Sequence, residues 1–270
     1  MLKIKGGLTG PDVVIAGFAR CGSTLLARAL SSSETFFVAG QTRPEPKALL
    51  GWKGDLSVVV DRYAKVFADA PESAIRVEKS TSYSDHLEVS PLMRSLFPST
   101  RVIFIVRDPI DRLISNYHWS VQGGMEHRTL ADALSGLMAP ALGLPAEPRP
   151  HDYLWRSLYG NHLHAWLRYW PKEQIHVCQF ERLISDFPRE LAAIAEFLGI
   201  TETFRKGNDV EKINAADRPA DEQGPWPLGA QPALEEIARG PVAEDVALLH
   251  GEWPHVDLGL WRTYRHLSGT

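Results

Sequence analysis

The chain has 270 residues, 44% of them hydrophobic, which is ample apolar material for one large α/β core. Its 29 Lys and Arg against 33 Asp and Glu leave a formal charge of −4, which excludes the broad basic face of a general nucleic-acid binder and confines any anion site to local groups. Two distant cysteines, no signal-like start in MLKIKGGLTGPD and no 18-residue apolar run lead to the expectation of a single cytoplasmic domain, 1–270, without stable membrane insertion.

Four short apolar, β-branched runs read as strands in chain order: Asp12–Phe18, Ala74–Lys79, Arg101–Arg107 and Gln174–Phe180. Their near-continuous apolar character suits a parallel sheet covered on both faces. Helical patterns fall at Ser23–Leu30, Asp55–Ala68, Pro109–Trp119, Asp152–Tyr169 and Leu183–Leu198. Strands that alternate with helices predict a parallel α/β fold. Two proline-rich stretches, Ala139–Pro150 and Asn214–Pro232, are too irregular for interior elements and read as surface loops or lids.

The first strand runs into GFARCGST, Gly17–Thr24, and then into a helix. The spacing is that of the phosphate loop G-x-x-x-x-G-K-[ST], with Ser23 where the lysine belongs and Arg20 as the nearest cation. A strand-to-helix loop at the carboxyl edge of a parallel sheet is where ligands bind. Backbone N–H groups at the helix start, with the Gly22, Ser23 and Thr24 stretch and its two hydroxyls, can hold a phosphate. The alternative is that Gly22, Ser23 and Thr24 merely make a turn and helix cap. Triphosphate chemistry is disfavoured, because it needs the missing lysine and an acidic strand end for Mg²⁺, whereas the third strand ends in Arg107.

Arg107 closes that strand, Pro109 suits the first turn of a helix, and Ser115 lies two turns along it. An arginine grips phosphate with two parallel hydrogen bonds, and a serine hydroxyl can complete the shell. The alternative reading makes Arg107 a partner of Asp108 or Asp111 and Ser115 a surface residue.

These two elements, in this order, resemble those of sulfotransferases that use 3′-phosphoadenosine 5′-phosphosulfate (PAPS). The resemblance implies a P-loop-like parallel sheet flanked by helices, a 5′-phosphosulfate loop at Gly17–Thr24, with Arg20, Cys21, Gly22, Ser23 and Thr24 at the donor, and a 3′-phosphate element at Arg107 and Ser115. It also implies no metal. The absent lysine then follows, since the donor has no γ-phosphate. Arg20 stands where many members carry lysine; as arginine cannot give up a proton at neutral pH, its implied role is electrostatic. Cys21 stands where a serine or threonine is common. A helix N-terminus can lower a thiol pKa, but a small filler is the favoured reading.

Two further segments resemble the subgroup that includes heparan sulfate sulfotransferases and related bacterial enzymes. TRPEPKALL, Thr42–Leu50, aligns Glu45 with a catalytic glutamate, and VEKSTSY, Val77–Tyr83, places Lys79 at the reaction centre. Sulfuryl transfer to a hydroxyl or amine needs a proton removed from the acceptor and negative charge stabilised, which a carboxylate and a lysine supply. The alternatives are an exposed loop acid for Glu45 and a Lys79–Glu78 surface pair; Lys47 is a further candidate lining residue. The histidines match no zinc spacing, and His86 and His118 are reserve candidates for a base.

Gln174–Ile200 resembles the family's closing strand, acidic turn and helix, and the resemblance continues through Val210–Asn214 to Leu258–Trp261, with Arg205 and Lys206 as possible phosphate contacts. The expected acceptor is a small molecule, lipid or carbohydrate. A P-loop kinase with an altered loop and a non-catalytic 3′-phosphonucleotide-binding module are the competing readings. Acceptor identity and oligomeric state are not legible in the sequence.

Overall fold

The computed structural model describes residues 9–40, 44–135, 151–201 and 226–268. Five parallel strands stand in the order β2-β3-β1-β4-β5. They are β1 (Val13–Gly17), β2 (Phe36–Ala39), β3 (Ile75–Lys79), β4 (Arg101–Val106) and β5 (Ile175–Gln179). Val102–Val106 of β4 and Val13–Ala16 of β1 are almost wholly buried, which explains their unbroken apolar sequence: both faces of these central strands are covered.

The helices of the first half are α1 (Ser23–Ser31), α2 (Leu56–Val66), α3 (Val89–Leu96), α4 (Pro109–Gln122) and α5 (Leu130–Leu134). Those of the second half are α6 (Tyr159–Leu167), α7 (Phe180–Ser185), α8 (Phe187–Leu198), α9 (Gln231–Ile237), α10 (Ala243–Glu252) and α11 (Arg262–Ser268). Local chemistry sets the starts of several: Asp55 accepts from the Ser57 N–H at 2.9 Å before α2, and Asp108 accepts from the Ile110 and Asp111 N–H groups before α4, whose first residue is Pro109.

All four strands read from the sequence are present, with no end shifted by more than one residue. The fifth, β2, has only four residues and lies half-buried at the sheet edge, so its FFVA run carries too little pattern to be told from a helix turn. The single helix expected over Leu183–Leu198 is two. Asp186 leaves helical geometry at φ −141°, and Pro188, which has no N–H to give, lies in the first turn of α8. Leu183, Leu191 and Ile194 are nevertheless core, with Phe180, Phe197 and Leu198 packed against it. The helix expected over Asp152–Tyr169 shortens to α6, preceded by a 3₁₀ turn at Trp155–Ser157.

Positions 139–150, 205, 206 and 210–225 lie outside the described residues. The end of the second proline-rich stretch is not a lid: Trp226 is buried and Gln231 begins α9. Among the described residues, no helix is long and apolar enough to cross a membrane.

Candidate active site

In a sheet of this strand order, a crevice is expected at the carboxyl ends of the central strands, where the connections change sides: β2 and β3 lie on one side of β1, β4 and β5 on the other. Each of the five strands delivers a candidate group or its supporting segment to this edge. β1 leads into the loop at 18–22, β2 into the segment of Glu45, β3 ends on Lys79, β4 leads into Arg107, and β5 into Phe180 and Glu181.

Two glycines show how closely these segments approach. Gly22 begins α1 with φ +85°, a conformation that disfavours side chains, and a Cβ there would come within 2.6 Å of the Phe180 ring. Gly40, at φ +81°, would meet Pro46 at 2.6 Å and the Lys79 carbonyl at 2.7 Å. The first lets the loop lie against α7. The second folds the Glu45 segment over the end of β3.

The loop and α4 meet directly. The Arg20 Nε donates to Ser115 Oγ at 3.1 Å, across 95 residues of sequence, and Arg107 Nη1 donates to the Arg20 carbonyl at 3.3 Å. Arg107 also lies over the Phe180 ring, 4.9 Å from its centroid. Asp111 pairs with Arg262, while Asp108 caps α4 and accepts from Thr263. Both carboxylates are thus engaged by the C-terminal helix α11. Burial, reinforced by the charge of Asp108, pushes the Asp111 carboxyl up to about 7. Glu181 accepts from the Asp108 N–H at 2.9 Å and from Trp261 Nε1 at 3.1 Å, and burial pushes it up to about 7 as well.

Beside the loop, Lys79 and Glu45 form an ion pair at 3.2 Å, with the Lys79 side chain only 3% exposed and that of Glu45 13%. Glu45 also accepts from the Thr81 N–H at 3.1 Å and from Thr81 Oγ1 at 2.9 Å. Lys79 faces Ile15 across the β1–β3 register, two residues before the end of β1, so the pair sits next to the loop's origin. The alternative Lys79–Glu78 pair is not formed. Glu78 points to the other side and accepts from Tyr63, Tyr83 and Ser80 hydroxyls at 2.6–2.8 Å, as strand alternation requires of consecutive residues.

Cys21 fills space: it is fully buried, its sulfur 3.5 Å from Tyr159 Oη, and burial pushes the thiol up to about 11 against the opposing pull of Arg112. The helix N-terminus does not prevail over desolvation here. Ser23 is buried and Thr24 partly so at the start of α1. Lys47 is exposed, its N–H donating to Ser80 Oγ at 2.9 Å. His86 pairs with Glu88 at 3.1 Å, His118 is half-buried on α4 beside Tyr117, and His162 is buried between the Ser84 and Trp155 carbonyls. Among the described residues, no group of three or more His, Cys, Asp or Glu could hold a metal ion.

Sequence reasoning missed Thr81 and Arg112. Thr81 lies inside the VEKSTSY segment, two residues past Lys79, where the chain has already turned back toward Glu45. Arg112 was visible by spacing: with Ser115 and Asn116 it forms an i, i+3, i+4 set on one face of α4.

The sulfotransferase domain family model matches residues 10–215, which takes in the loop, the Glu45–Lys79 pair and the Arg107–Ser115 element. The chain belongs to the sulfotransferase domain family. It is similar to human heparan sulfate glucosamine 3-O-sulfotransferase 6, with 28% identity over 203 residues, 70% of this chain and 52% of that protein. A mouse relative, heparan sulfate glucosamine 3-O-sulfotransferase 3A1, is 30% identical over 138 residues, 48% of this chain and 32% of its own length. The chain therefore spans about half the length, or less, of these curated relatives. A sulfotransferase from Alicyclobacillus acidocaldarius shares the fold, with a TM-score of 0.70 over 94% of this chain and 99% of that one at 22% identity. The sulfotransferase domain thus accounts for the parallel sheet, and the match holds through β5 into the residues beyond α8.

Proposed function

We propose that this chain transfers a sulfuryl group from PAPS to a hydroxyl or amine, with a carbohydrate as the favoured acceptor class. The observation that carries the proposal is the meeting of two elements 95 residues apart, Arg20 on the phosphate loop and Ser115 on α4, with Arg107 bonded to the same loop residue. A dianionic 5′ group and a separate 3′-phosphate need two anion sites at nucleoside spacing, and the two elements supply cations and hydroxyls for both. When bound, the donor supplies an activated sulfuryl group and a phosphate leaving group.

The residues of the chain divide the remaining work. Arg20, the 22–24 backbone and the Ser23 and Thr24 hydroxyls would hold the 5′ end, and Arg20 would offset negative charge there as transfer proceeds. Arg107 and Ser115 would hold the 3′-phosphate, with 205 and 206 proposed as further contacts. Glu45, held by Thr81 and Lys79, is oriented to take the acceptor proton, and Lys79 to stabilise charge on the transferring group. The names of the relatives, all acting on a glucosamine of heparan sulfate, support a sugar acceptor class without naming the sugar. The kinase reading is not favoured, because Ser23 stands where the loop lysine would be needed.

The test is calorimetry with adenosine 3′,5′-bisphosphate and 5′-AMP. A charge-assisted 3′ contact contributes roughly 1.5–3 kcal/mol, so the bisphosphate should bind at least about tenfold more tightly. Equal affinities would refute the roles of Arg107 and Ser115. Tight binding with no transfer to any of a panel of oligosaccharides, phenols and lipid alcohols would favour the binding-module reading.

A further inference from the structure

Behind the phosphate loop lies a guanidinium that the proposed transfer chemistry does not use. Arg112, on α4, is 1% exposed, and each of its contacts is a neutral acceptor. Its Nε donates to the Ala19 carbonyl at 3.1 Å, Nη1 to the Tyr153 carbonyl at 3.2 Å and Ser157 Oγ at 3.3 Å, and Nη2 to Asn116 Oδ1 at 2.8 Å. A buried guanidinium without a carboxylate in contact is costly, and here its fork joins three separate segments: the loop, α4 and the turn at 153–157.

The carbonyls at 19 and 20 are both held by arginines of the same neighbourhood, Ala19 by Arg112 and Arg20 by Arg107. Between them Arg20 stands at φ +70°, a left-handed conformation that a non-glycine residue keeps only when its surroundings impose it. A trans peptide is planar, so fixing the Ala19 carbonyl fixes the orientation of the Arg20 N–H and the start of the Arg20 side chain. Arg112 also acts through its charge at this spot, since it is the largest charge effect on the Cys21 thiol one position after Arg20.

We propose that Arg112 is a positioning residue for the 5′ half of the nucleotide site: it clamps the Ala19 carbonyl so that Arg20 and the following N–H groups are set for a 5′-phosphate before any ligand arrives. The proposal rests on the nucleotide reading above. It assigns Arg112 no contact with ligand. The clamp bears on the loop directly and on the 3′ element only through the Arg20–Ser115 and Arg107–Arg20 contacts, so its effect is larger at the 5′ end, whereas a general contribution to the core would weaken both ends together.

The test compares adenosine 3′,5′-bisphosphate with adenosine 3′-monophosphate by calorimetry, well below the melting temperature, in the parental chain, Arg112→Met and Arg112→Lys. The expected result is a loss of bisphosphate affinity of 10-fold or more in Arg112→Met, with 3′-monophosphate affinity changed less than 2-fold and part of the loss restored in Arg112→Lys. Equal losses for both ligands, or an unchanged bisphosphate affinity, would overturn the proposal. If Arg112→Met does not fold, Ser157→Ala, which removes one support of the fork away from the loop, decides: a 2- to 5-fold loss confined to the bisphosphate sustains the clamp, and parental binding of both ligands overturns it. Failure of the parental chain to bind the bisphosphate overturns the nucleotide reading itself and is recognised because it appears without any substitution.

Discussion

Replacing Glu45 with glutamine keeps the side chain's size and removes its charge, so it tests the proposed base at the point where the structure makes the outcome ambiguous. The carboxylate holds three donors: Lys79 Nζ at 3.2 Å, Thr81 Oγ1 at 2.9 Å and the Thr81 N–H at 3.1 Å. A glutamine offers one oxygen and one NH₂, so at least one contact becomes donor against donor, and Lys79, 3% exposed, loses its counter-charge. The lost charged hydrogen bond costs about 1.5–3 kcal/mol of stability. Loss of general-base action slows turnover by about 10²–10⁴-fold, or about 3–5 kcal/mol of barrier. The two effects overlap in size, so rate alone does not separate them. Single-turnover transfer from labelled donor should therefore be measured in Glu45→Gln, Lys79→Met and the double variant, beside binding of adenosine 3′,5′-bisphosphate. If Glu45 takes the proton, Glu45→Gln remains slow when Lys79 is already methionine and donor binding barely moves. If Glu45 serves only to hold Lys79, the second substitution adds nothing to the first. A folded Glu45→Gln that turns over at the parental rate refutes the base assignment and turns attention to His118 and His86.

Arg20→Lys should keep activity within about tenfold, because either cation offsets the charge that develops at the 5′ end, whereas Arg20→Ala should lose about 10²–10³-fold in turnover; a folded and fully active alanine variant would refute the role. On the stability side, His176 packs on Phe197 with ring centroids 5.0 Å apart, its Nε2 buried without a hydrogen-bond partner, and burial lowers its pKa from 6.5 to about 4. The folded state then binds this proton less readily than the unfolded one, so the contribution is complete above pH 6.5 and is lost as pH falls toward 4. At pH 5 the penalty is about 2 kcal/mol, and urea unfolding at pH 7.5 and 5 should show His176→Leu losing less on acidification than the parent by about that amount. Identical losses would show that His176 does not carry it.

The parts of the fold that were legible in the sequence are those where physics acts over few residues. Burial on two faces left β1 and β4 with continuous apolar runs, and Asp108 with Pro109 marked the start of α4 in the sequence itself. β2 escaped because four half-buried edge residues carry no period, and the break at Asp186 escaped because leucines and isoleucines on both sides keep one helical spacing through it. In the site, the loop and Arg107–Ser115 were visible as spacings. Their mutual contact was not, since it depends on β1 and β4 being neighbours in the sheet, a fact of topology that no local pattern encodes. Arg205 and Lys206 fall outside the described residues and keep their standing as proposals.

That topology also bears on why one scaffold can keep its donor chemistry while acceptors change. Arg20, Arg107 and Ser115 hang on β1, β4 and α4, and these are tied by the β1–β4 register, by Arg107 on the Arg20 carbonyl and by Arg112 on the Ala19 carbonyl. Glu45 reaches the same edge differently. It lies in an irregular segment after the edge strand β2, held by Thr81, Lys79 and the close approach at Gly40. The proposed donor side thus rests on buried central strands, where a shift in one element strains several others. The proposed base rests on a loop fastened by three polar contacts; next to it Ala48 and Leu49 are core, whereas the exposed Lys47 can vary with little cost to the sheet. Lys79 joins the two, since it ends a central strand and pairs with the loop carboxylate. Changes of acceptor preference should therefore follow substitutions at the exposed Lys47 and at Trp52, which is half-buried against the core further along the same segment, and leave binding of adenosine 3′,5′-bisphosphate unchanged.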